Sequence, residues 1–247
     1  MDGSRDIAKV SMLAGKIMLE SGAETHRVED TMTRIATAYG LTDAQSFAMP
    51  TGINFSTSFA EASNLMRISN RSTDLHKIAE VNDISRQIAA GELTLTEALK
   101  ALQALEKTDL SFPKWLQILA AAALSSCFAI MFGGNWADFI PTFITGGIGF
   151  WMMLIVLHFV EIRFIADFAA SFLIGILAII FIQTGLGVEI DKIIIGAVMP
   201  LVPGLPITNA VRDLLAGHLV AGVSKGVEAL LTAFAIGAGI AVCFAIF

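Results

Sequence analysis

The apolar residues follow two different patterns, which divide the chain near residue 112. Before this point they recur at helical spacing or lie in short runs between Gly, Asn and Ser, whereas afterwards they form long runs with few charges. Helical spacing indicates amphipathic helices, and apolar runs of about 20 residues indicate membrane spans. The pattern therefore predicts a small domain over residues 1–112 and a transmembrane domain over residues 113–247.

The first domain combines predicted helices with a small antiparallel sheet. Apolar residues at helical spacing predict helices over residues 5–21, 24–39, 73–90 and from Thr94 onward, where the spacing of Thr94 and Glu97 fits a capping box. Short runs rich in Phe, Ile and Thr predict strands at residues 47–49, 53–57 and 65–68. This length of about 110 residues is enough for one small α+β domain.

Five membrane spans are predicted in the second domain, and one of them is broken. They cover about residues 116–132, 139–157, 168–183, 193–207 and 227–247. The fourth contains Pro200, Pro203 and Pro206, and each proline lacks a backbone N–H and clashes with the preceding helical turn. The expected fold is therefore an α-helical polytopic membrane protein of about five transmembrane helices, one of them proline-broken, with a small α+β cytosolic N-terminal domain.

Polar residues follow the proline-broken span directly. Thr208, Asn209, Arg212 and Asp213 come just after its expected end at residue 207. In hydrocarbon, the carbonyl groups freed by the prolines need partners, and many secondary transporters build their substrate site at such a broken helix. A plain proline kink followed by an ordinary cytoplasmic loop is the alternative interpretation.

The composition supports a membrane protein and excludes other classes. Hydrophobic residues make up 55% of the chain, against about 45–50% in soluble domains, and the mean hydropathy is +0.72. A net charge of −6 without a basic cluster argues against nucleic-acid binding. Cys127 and Cys243 both lie in apolar spans, which indicates buried thiols and not a disulfide framework.

The few charges of the transmembrane domain predict its orientation. Residues 1–12 lack the apolar core of a signal peptide, so we expect the N-terminal domain in the cytoplasm. Of the cations from residue 114 onward, only Lys192 is then outside, in agreement with the positive-inside rule, and the cytoplasmic ones are Lys114, Arg163, Arg212 and Lys225. The C-terminus is expected outside, after an odd number of spans.

The densest polar cluster of the first domain lies at residues 22–30. The members that we interpret as a contact surface for the membrane half are Glu24, Thr25, Arg27 and Glu29. A hydrolytic site built from Ser21, His26 and Asp30 is an alternative, but nothing fixes a nucleophile within reach of a base. A solvated helix start, where the helix dipole favours acidic residues, explains the same residues without a function.

Three separated motifs resemble those of a known family. They are Gly22-Ala23-Glu24-Thr25-His26-Arg27-Val28-Glu29, Met49-Pro50-Thr51-Gly52-Ile53, and Leu201-Val202-Pro203-Gly204 followed by Asn209, Arg212-Asp213 and Gly217. With these motifs in this order, the chain resembles the threonine/serine exporter family over nearly its whole length. The resemblance implies a cytosolic domain coupled to membrane spans, and export of small amino acids driven by the proton gradient.

The chain departs from the fused members of that family, because only five spans are predicted. It resembles the larger half of a split form, which pairs with a small four-span membrane protein and is associated in bacteria with succinate export. The implied partners are a small carboxylate or amino-acid substrate, membrane lipid, and a four-span subunit or further copies of the chain, in the bacterial inner (plasma) membrane. No cofactor or metal is expected.

The chain is therefore predicted to be a subunit of a proton-coupled secondary exporter of succinate, or of threonine and serine, and not an enzyme. The candidate substrate-binding residues are Pro203, Gly204, Thr208, Asn209 and Arg212. The candidate proton carriers are Asp213, Glu161 and Asp167, because ionisable groups at membrane depth are functional candidates, although a loop position makes them ordinary solvated charges. A membrane-embedded hydrolase, with His158 beside these acids, lacks an HExxH motif. A membrane-tethered cytosolic binding module is a further alternative, but an anchor for such a module does not need five spans.

Overall fold

The chain folds into two units that do not follow its linear order. The computed structural model describes residues 2–58, 62–69, 71–109 and 111–247. The N-terminal unit comprises Met1–Asp109 and Leu205–Val227, and the membrane unit comprises Leu110–Gly204 and Glu228–Phe247. The domain ranges 1–112 and 113–247 stay a prediction, and six of their residues lie outside the described ones, namely Met1, 59–61, 70 and 110.

The first part of the N-terminal unit is an α+β structure. Its described residues form the helices α1 (Asp2–Glu20), α2 (Thr25–Ala38), α3 (Leu75–Ala89) and α4 (Leu95–Lys107), and the strands β1 (Gln45–Met49), β2 (Gly52–Ser56) and β3 (Asn64–Arg67). The strands pair antiparallel in the order β1-β2-β3. These elements lie where the hydrophobic pattern predicts them, with ends shifted by a few residues.

The core of this part follows the predicted helical spacing. Its largest fully buried side chains include Val10, Ile17, Met18, Met32, Ile35, Phe55 and Leu102. The predicted capping box at the start of α4 is present: the Thr94 hydroxyl accepts the Glu97 N–H, and the Glu97 carboxylate accepts the Thr94 N–H at 2.9 Å. Local capping and core burial therefore agree on where α4 begins.

Tyr39 reports on this packing, because it is the one tyrosine in the sequence. Its side chain is half-buried, and its hydroxyl donates to the Leu93 carbonyl oxygen at 3.1 Å. Burial disfavours the charged phenolate and raises the pKa of Tyr39, and the Glu97 charge raises it further. The folded-state pKa is thus above the unfolded one. The resulting stability is present below about pH 10 and is lost as pH rises through the folded-state pKa.

We therefore expect the tyrosinate absorbance of the native chain to develop at higher pH than that of the chain unfolded in guanidinium. Replacing Tyr39→Phe should abolish this signal and reduce the loss of stability above about pH 10. An absorbance titration, paired with thermal unfolding of both proteins in detergent, measures the two effects. Equal titration midpoints in the native and unfolded chains would contradict the proposed burial.

Apolar helices dominate the remainder of the chain. The described residues form α5 (Lys114–Met131), α6 (Phe139–Val160), α7 (Arg163–Gln183), α8 (Ile190–Val198), α9 (Gly204–Leu215) and α10 (Leu219–Ile246). Four of these, α5, α6, α7 and α10, are long and apolar enough to cross a membrane, and α8 with α9 form a broken pair. Counting that pair as one span gives five among the described residues, so the structure has four or five candidate spans.

The chain breaks after α8 at Val202 and Pro203. Pro200 lies in a 3₁₀ turn (Met199–Leu201), and Val202 has an extended backbone, with φ −59° and ψ 129°. The ring of a proline disfavours helical backbone in the residue before it, which explains the conformation of Val202. Pro206 lies in the first turn of α9, where its missing N–H removes no helical hydrogen bond. The predicted break is therefore located at Pro203.

The predicted loop over residues 158–167 is much shorter in the structure. Only Glu161 and Ile162 separate α6 from α7. Arg163 and Asp167 lie one turn apart on α7, and the Arg163 guanidinium donates to both carboxylate oxygens of Asp167, at 2.9 and 3.2 Å. Because Arg163 and Asp167 form an ion pair on one face of α7, their charges do not end this helix.

The boundaries around the broken span also differ from the prediction. The polar residues 208–213 lie inside α9 and not after a span, and α10 begins at Leu219 and not at residue 227. Lys225, which sequence reasoning placed before the last span, pairs within the N-terminal unit with Asp213. A charge that has a partner on a neighbouring helix is tolerated within a helix, which explains both differences.

Small residues allow close helix packing in the membrane unit. A Cβ atom added at Gly239 of α10 would lie 2.2 Å from the Ser171 hydroxyl and 2.5 Å from the Phe168 carbonyl oxygen of α7. A Cβ atom added at Gly237 meets no described atom within 4 Å. The two glycines therefore form a matched pair, one in a tight helix contact and one facing open space.

We expect Gly239→Ala to destabilise the protein by about 1–3 kcal/mol, because the backbone of α7 must move to admit the methyl group. Gly237→Ala should be neutral or slightly stabilising, since alanine is the better helix former. Thermal unfolding of the detergent-solubilised chain compares the two variants. Equal melting temperatures for both would show that α7 and α10 are not packed as described.

Candidate functional site

A buried ion pair joins α9 and α10 in the N-terminal unit. The Lys225 ammonium lies 2.7 Å from Oδ2 of Asp213. Asp213 has no exposed surface, and Lys225 is 9% exposed. Removing both charges from water is costly, so each needs further polar partners. Their partners come from the start of α2.

The N-terminus of α2 supplies the remaining hydrogen bonds of Asp213. The Thr25 backbone N–H donates to Oδ1 at 2.8 Å, and the Thr25 hydroxyl donates to Oδ2 at 2.9 Å. The Lys225 ammonium also donates to the Ala23 carbonyl oxygen at 3.1 Å and to the Thr25 hydroxyl at 3.2 Å. A carboxylate at a helix N-terminus is stabilised by the helix dipole as well. Thr25, Asp213 and Lys225 are called the Asp213 cluster below.

A second ion pair lies beside the Asp213 cluster. Arg212 donates to the Glu24 carboxylate, whose side chain is 8% exposed, whereas the Arg212 side chain is 60% exposed. Two other cationic or titratable groups approach Glu24: His26 Nε2 at 3.8 Å and Arg27 at 3.9 Å. Glu24 is therefore a buried acid held among basic groups, and Arg212 connects it to the surface.

Backbone turns hold these side chains in place. Gly22, with φ +83°, turns the chain between α1 and α2, and its carbonyl oxygen accepts from the Asn209 amide at 2.9 Å. Gly217, with φ +87°, ends α9, where the His218 N–H donates to the Asp213 carbonyl oxygen at 2.9 Å in a Schellman-type turn. Positive φ values favour glycine at both positions. Asn209 and Asp213 lie one turn apart, so one face of α9 makes both contacts.

A close approach of α10 to α9 brings Lys225 within reach. A Cβ atom at Gly222 would lie 2.6 Å from Leu214 Cγ and 2.9 Å from the Ala210 carbonyl oxygen. Glycine at this position therefore permits the short distance between the two helices, and Lys225 follows one turn later on α10. Nearby, His218 Nδ1 lies 3.7 Å from Glu29, whose carboxylate also accepts the Ala48 N–H at 2.8 Å.

The membrane unit holds two further buried acids. Asp167 has no exposed surface and pairs with Arg163, whereas Glu161 is exposed at the α6–α7 connection, with a φ of +57°. Asp138 is also fully buried, and its Oδ1 accepts the backbone N–H groups of Val188 at 2.6 Å and Glu189 at 3.3 Å. Among the described residues, Asp138 Oδ2 has no hydrogen-bond partner. Asp138 therefore anchors the chain just before α8.

The structure groups the predicted site residues in two places. Those in the N-terminal unit are Glu24, Thr25, Arg27, Glu29, Thr208, Asn209, Arg212 and Asp213, and those in the membrane unit are Glu161, Asp167, Pro203 and Gly204. Pro203 is buried, while Gly204 and Thr208 are exposed. Within the part of the chain that the structure describes, no group of three His, Cys, Asp or Glu side chains has the geometry of a metal site.

Sequence reasoning missed the role of Lys225 as the partner of Asp213. It treated this lysine as one of several cations that set the orientation of the spans. The available signal was that Asp213 and Lys225 are opposite charges on either side of a glycine turn, each next to apolar helix sequence. Such charges need a partner, and each is the nearest opposite charge available to the other across that turn.

Comparison with known proteins identifies the family. Over residues 9–247 the sequence matches the family described as "Putative threonine/serine exporter". The chain belongs to the threonine/serine exporter family. This is a family of transporters and not a class of enzymes. Together with the family, the long apolar helices of the chain indicate that it is a membrane protein.

The curated relatives of this family member are of two kinds. It is 25% identical over 236 residues to a probable succinate transporter subunit of Klebsiella aerogenes, covering 92% of this chain and 89% of that protein. It is 24% identical over 250 residues to the Escherichia coli protein of the same description, covering 98% and 95%. It is 24% identical over 243 residues to a probable threonine/serine exporter of Mycobacterium tuberculosis, covering 96% of this chain and 45% of that protein. The chain thus spans nearly all of the first two relatives and about half of the third. No solved structure matches it.

Proposed function

We propose that this chain is one subunit of a secondary transporter that exports small carboxylates or amino acids, namely succinate or threonine and serine, across the bacterial plasma membrane. The relatives described as succinate transporter subunits have nearly the same length, and the relative described as a threonine/serine exporter is about twice as long. Both substrate classes carry a carboxylate, so both require a cationic or hydrogen-bond-donating site.

The Asp213 cluster is the observation that carries the proposal. Buried ion pairs contribute little net stability compared with apolar residues of the same volume, so their presence calls for another explanation. Ionisable groups on membrane-spanning helices mark proton and substrate pathways in transporters, and Lys225 of this cluster lies on α10, a candidate span. Asp213 is therefore the proposed proton carrier: taking up a proton removes its charge and weakens its bonds to Thr25 and Lys225.

The outer ion pair is the proposed entrance for the substrate. Arg212 is 60% exposed, and its planar guanidinium has donors beyond the one that contacts Glu24. Asn209 lies one turn before Asp213, and Thr208 beside it is exposed. We propose that these residues first attract the substrate carboxylate, and that the chain at Pro203 and Gly204 allows the movement that follows.

Two acids of the membrane unit are further candidates for proton transfer. Asp167 is fully buried next to Arg163, which suits a group that exchanges a proton for an ion pair. Glu161 is exposed, so it is the weaker candidate of the two. In the proposed transporter, Asp167→Asn should abolish the coupling of efflux to the proton gradient if Asp167 carries the proton. The variant should leave this coupling intact if the pair with Arg163 is only structural.

The proposed assembly contains a second, small membrane protein of four spans, further copies of this chain, or both, surrounded by membrane lipid. We propose that the N-terminal domain lies in the cytoplasm and the C-terminus outside. This orientation is supported by the cations Lys114 and Arg163, which begin α5 and α7 and therefore lie on the same side, the cytoplasmic one. Cysteine labelling of intact cells at each terminus tests it.

The experiment that tests the proposed function is an efflux assay in cells. Cells that express the chain together with the proposed four-span partner are loaded with labelled succinate or labelled threonine. Efflux of one label should exceed that of vector controls at matched expression, and a protonophore should slow it. If both labels leave at the vector rate, the chain does not export these substrates.

A further inference from the structure

We propose that Asp138 takes up the coupling proton at the outer end of the membrane unit. This inference rests on the proposed proton-driven export and deepens it, because it names a residue that receives the proton from outside. Sequence reasoning pointed to Asp213, Asp167 and Glu161 as proton carriers, and the structure adds Asp138 to them.

The two oxygens of the Asp138 carboxylate have different surroundings. Asp138 ends a 3₁₀ turn (Trp136–Asp138) directly before α6 and has no exposed surface. Its Oδ1 accepts the backbone N–H groups of Val188 at 2.6 Å and Glu189 at 3.3 Å, whereas its Oδ2 has no hydrogen-bond partner among the described residues. Anchoring residues 188 and 189 requires only Oδ1. The buried and unpaired Oδ2 therefore needs a second explanation.

Apolar side chains flank this carboxylate. A Cβ atom added at Gly187 would lie 3.6 Å from Asp138 Oδ1, 3.2 Å from Ile182 Cδ1 and 2.8 Å from Ile193 Cδ1. A charged carboxylate is costly to bury in such surroundings without a partner. The site does fit a neutral carboxyl group, in which Oδ1 is the carbonyl oxygen that accepts both N–H groups and Oδ2 carries the proton.

The neighbouring elements supply no counter-charge to Asp138. Their charged and titratable residues are Glu189 in the preceding turn, Asp191 and Lys192 on α8, the exposed Cys127 on α5, and Lys114, His158, Arg163 and Asp167 at the far ends of α5, α6 and α7. Lys192 pairs with Asp191 at 3.4 Å, and Arg163 pairs with Asp167 at 2.9 Å. No ion pair within the described part of the chain includes Asp138. A proton is therefore the simplest ligand that removes its charge.

Hydroxyl groups continue inward from Asp138 on the buried face of α6. Thr142 and Thr145 follow one and two turns later, both without exposed surface, and the Thr142 hydroxyl donates to the Asp138 carbonyl oxygen at 2.7 Å. The Thr145 hydroxyl is a second buried group that has no partner among the described residues. Because a hydroxyl both donates and accepts hydrogen bonds, this face of α6 can pass a proton inward.

The proposed orientation gives this uptake the direction that export requires. If α5 begins on the cytoplasmic side, α6 begins on the outer side, and Asp138 follows directly after the exposed residues Trp136 and Ala137. An exporter driven by an inward proton gradient needs an acid that loads its proton from outside. Asp138 takes a proton from the outer solution onto Oδ2 and later releases the same proton inward, while the substrate moves in the opposite direction.

Asp138→Asn separates proton uptake from anchoring, because asparagine keeps an oxygen that accepts both N–H groups but takes up no proton. The test uses proteoliposomes that contain the full chain and the proposed four-span partner. In the variant, an inward proton gradient should no longer accelerate efflux of labelled succinate or threonine. The melting temperature, and the exchange of internal label for external unlabelled substrate, should stay parental. The matched control is Asp191→Asn, an exposed acid at the same end, which should respond to the gradient like the parent.

A chemical readout on the purified full chain does not depend on transport. Dicyclohexylcarbodiimide is an apolar reagent that reacts with protonated carboxyl groups. Mass spectrometry should locate its adduct at Asp138 and not at the exposed Asp191, and the yield at Asp138 should fall as the pH is raised. A chain that carries the adduct at other acids but not at Asp138 would overturn the inference.

The transport outcomes distinguish this inference from the proposed function. If the gradient accelerates efflux by Asp138→Asn as it does for the parent, the inference is overturned and the export function stands. If Asp138→Asn loses stability and exchange together with coupling, Asp138 is only an anchor and the inference also fails. A sodium gradient that accelerates parental efflux at constant pH, through Asp138, overturns the assignment of a proton. A parental complex that exports neither label overturns the proposed function and this inference with it.

Discussion

We expect that cells expressing this chain without the proposed four-span partner will export neither succinate nor threonine above background, and that co-expression of such a partner will restore export. The chain spans 89% and 95% of two relatives described as probable succinate transporter subunits but 45% of a relative described as a probable threonine/serine exporter. The relative described as an exporter is thus about twice as long as this chain. If the broken pair counts as one span, the five spans also leave the broken helix without the inverted counterpart that many transporters use.

The test compares three preparations in proteoliposomes: the chain alone, the partner alone, and both together at matched protein amounts. Efflux of labelled substrate is expected only from the third. A matched control uses the chain with Gly239→Ala, whose expected effect is on helix packing, to show how much activity a destabilised but complete pair retains. Full efflux from the chain alone would contradict the need for a partner.

Arg212→Ala will abolish export, Arg212→Lys will weaken it markedly, and Asn209→Ala will fall between them. Lysine keeps the positive charge of Arg212 but loses the planar group that holds a carboxylate through two hydrogen bonds. Asn209 holds the Gly22 carbonyl oxygen at 2.9 Å, so its loss loosens the turn before Glu24 and Thr25 without removing a charge. Initial efflux rates at matched expression measure the series.

The contact of Arg212 with Glu24 provides a sharper version of the same test. If Arg212 serves only to neutralise the buried Glu24, the double variant Glu24→Gln, Arg212→Ala should recover export, because no unpaired acid remains. If Arg212 contacts the substrate, the double variant should stay inactive while Glu24→Gln alone retains activity. We expect the second result. Recovery in the double variant, or parental export by a correctly inserted Arg212→Ala, would contradict it.

The elements of the fold were predictable because local sequence determines them. The capping box of Thr94 and Glu97 marks the start of α4, and the apolar runs after residue 112 give the candidate spans. Three prolines within seven residues predict a break in the helix, and in the structure the helix breaks only at Pro203. Pro200 and Pro206 lie in a 3₁₀ turn and a first helical turn, where the missing N–H is tolerated.

The contacts of the candidate site were predictable only in part, because they join residues far apart in the chain. Glu24 and Thr25 stood out as a polar helix start, and Arg212 and Asp213 as polar residues after a break, but 188 residues separate Glu24 from Arg212. The periodicity of the sequence does not show which of these charges pair in the folded chain. The sequence alone presents Lys225 as an isolated cation, since a charge near a span normally indicates orientation. Its burial against Asp213 follows from the glycine contact at Gly222, which is a tertiary feature.

The most direct test of the central claim is gradient-driven efflux from proteoliposomes that contain both subunits, measured for the parent and for Asp213→Asn. We expect an inward proton gradient to accelerate parental efflux of labelled succinate or threonine. Asp213→Asn should no longer respond to the gradient, yet it should still exchange internal label for external unlabelled substrate, because its binding site is intact. Parental efflux that ignores the proton gradient, or an Asp213→Asn variant that responds to it fully, would contradict the account.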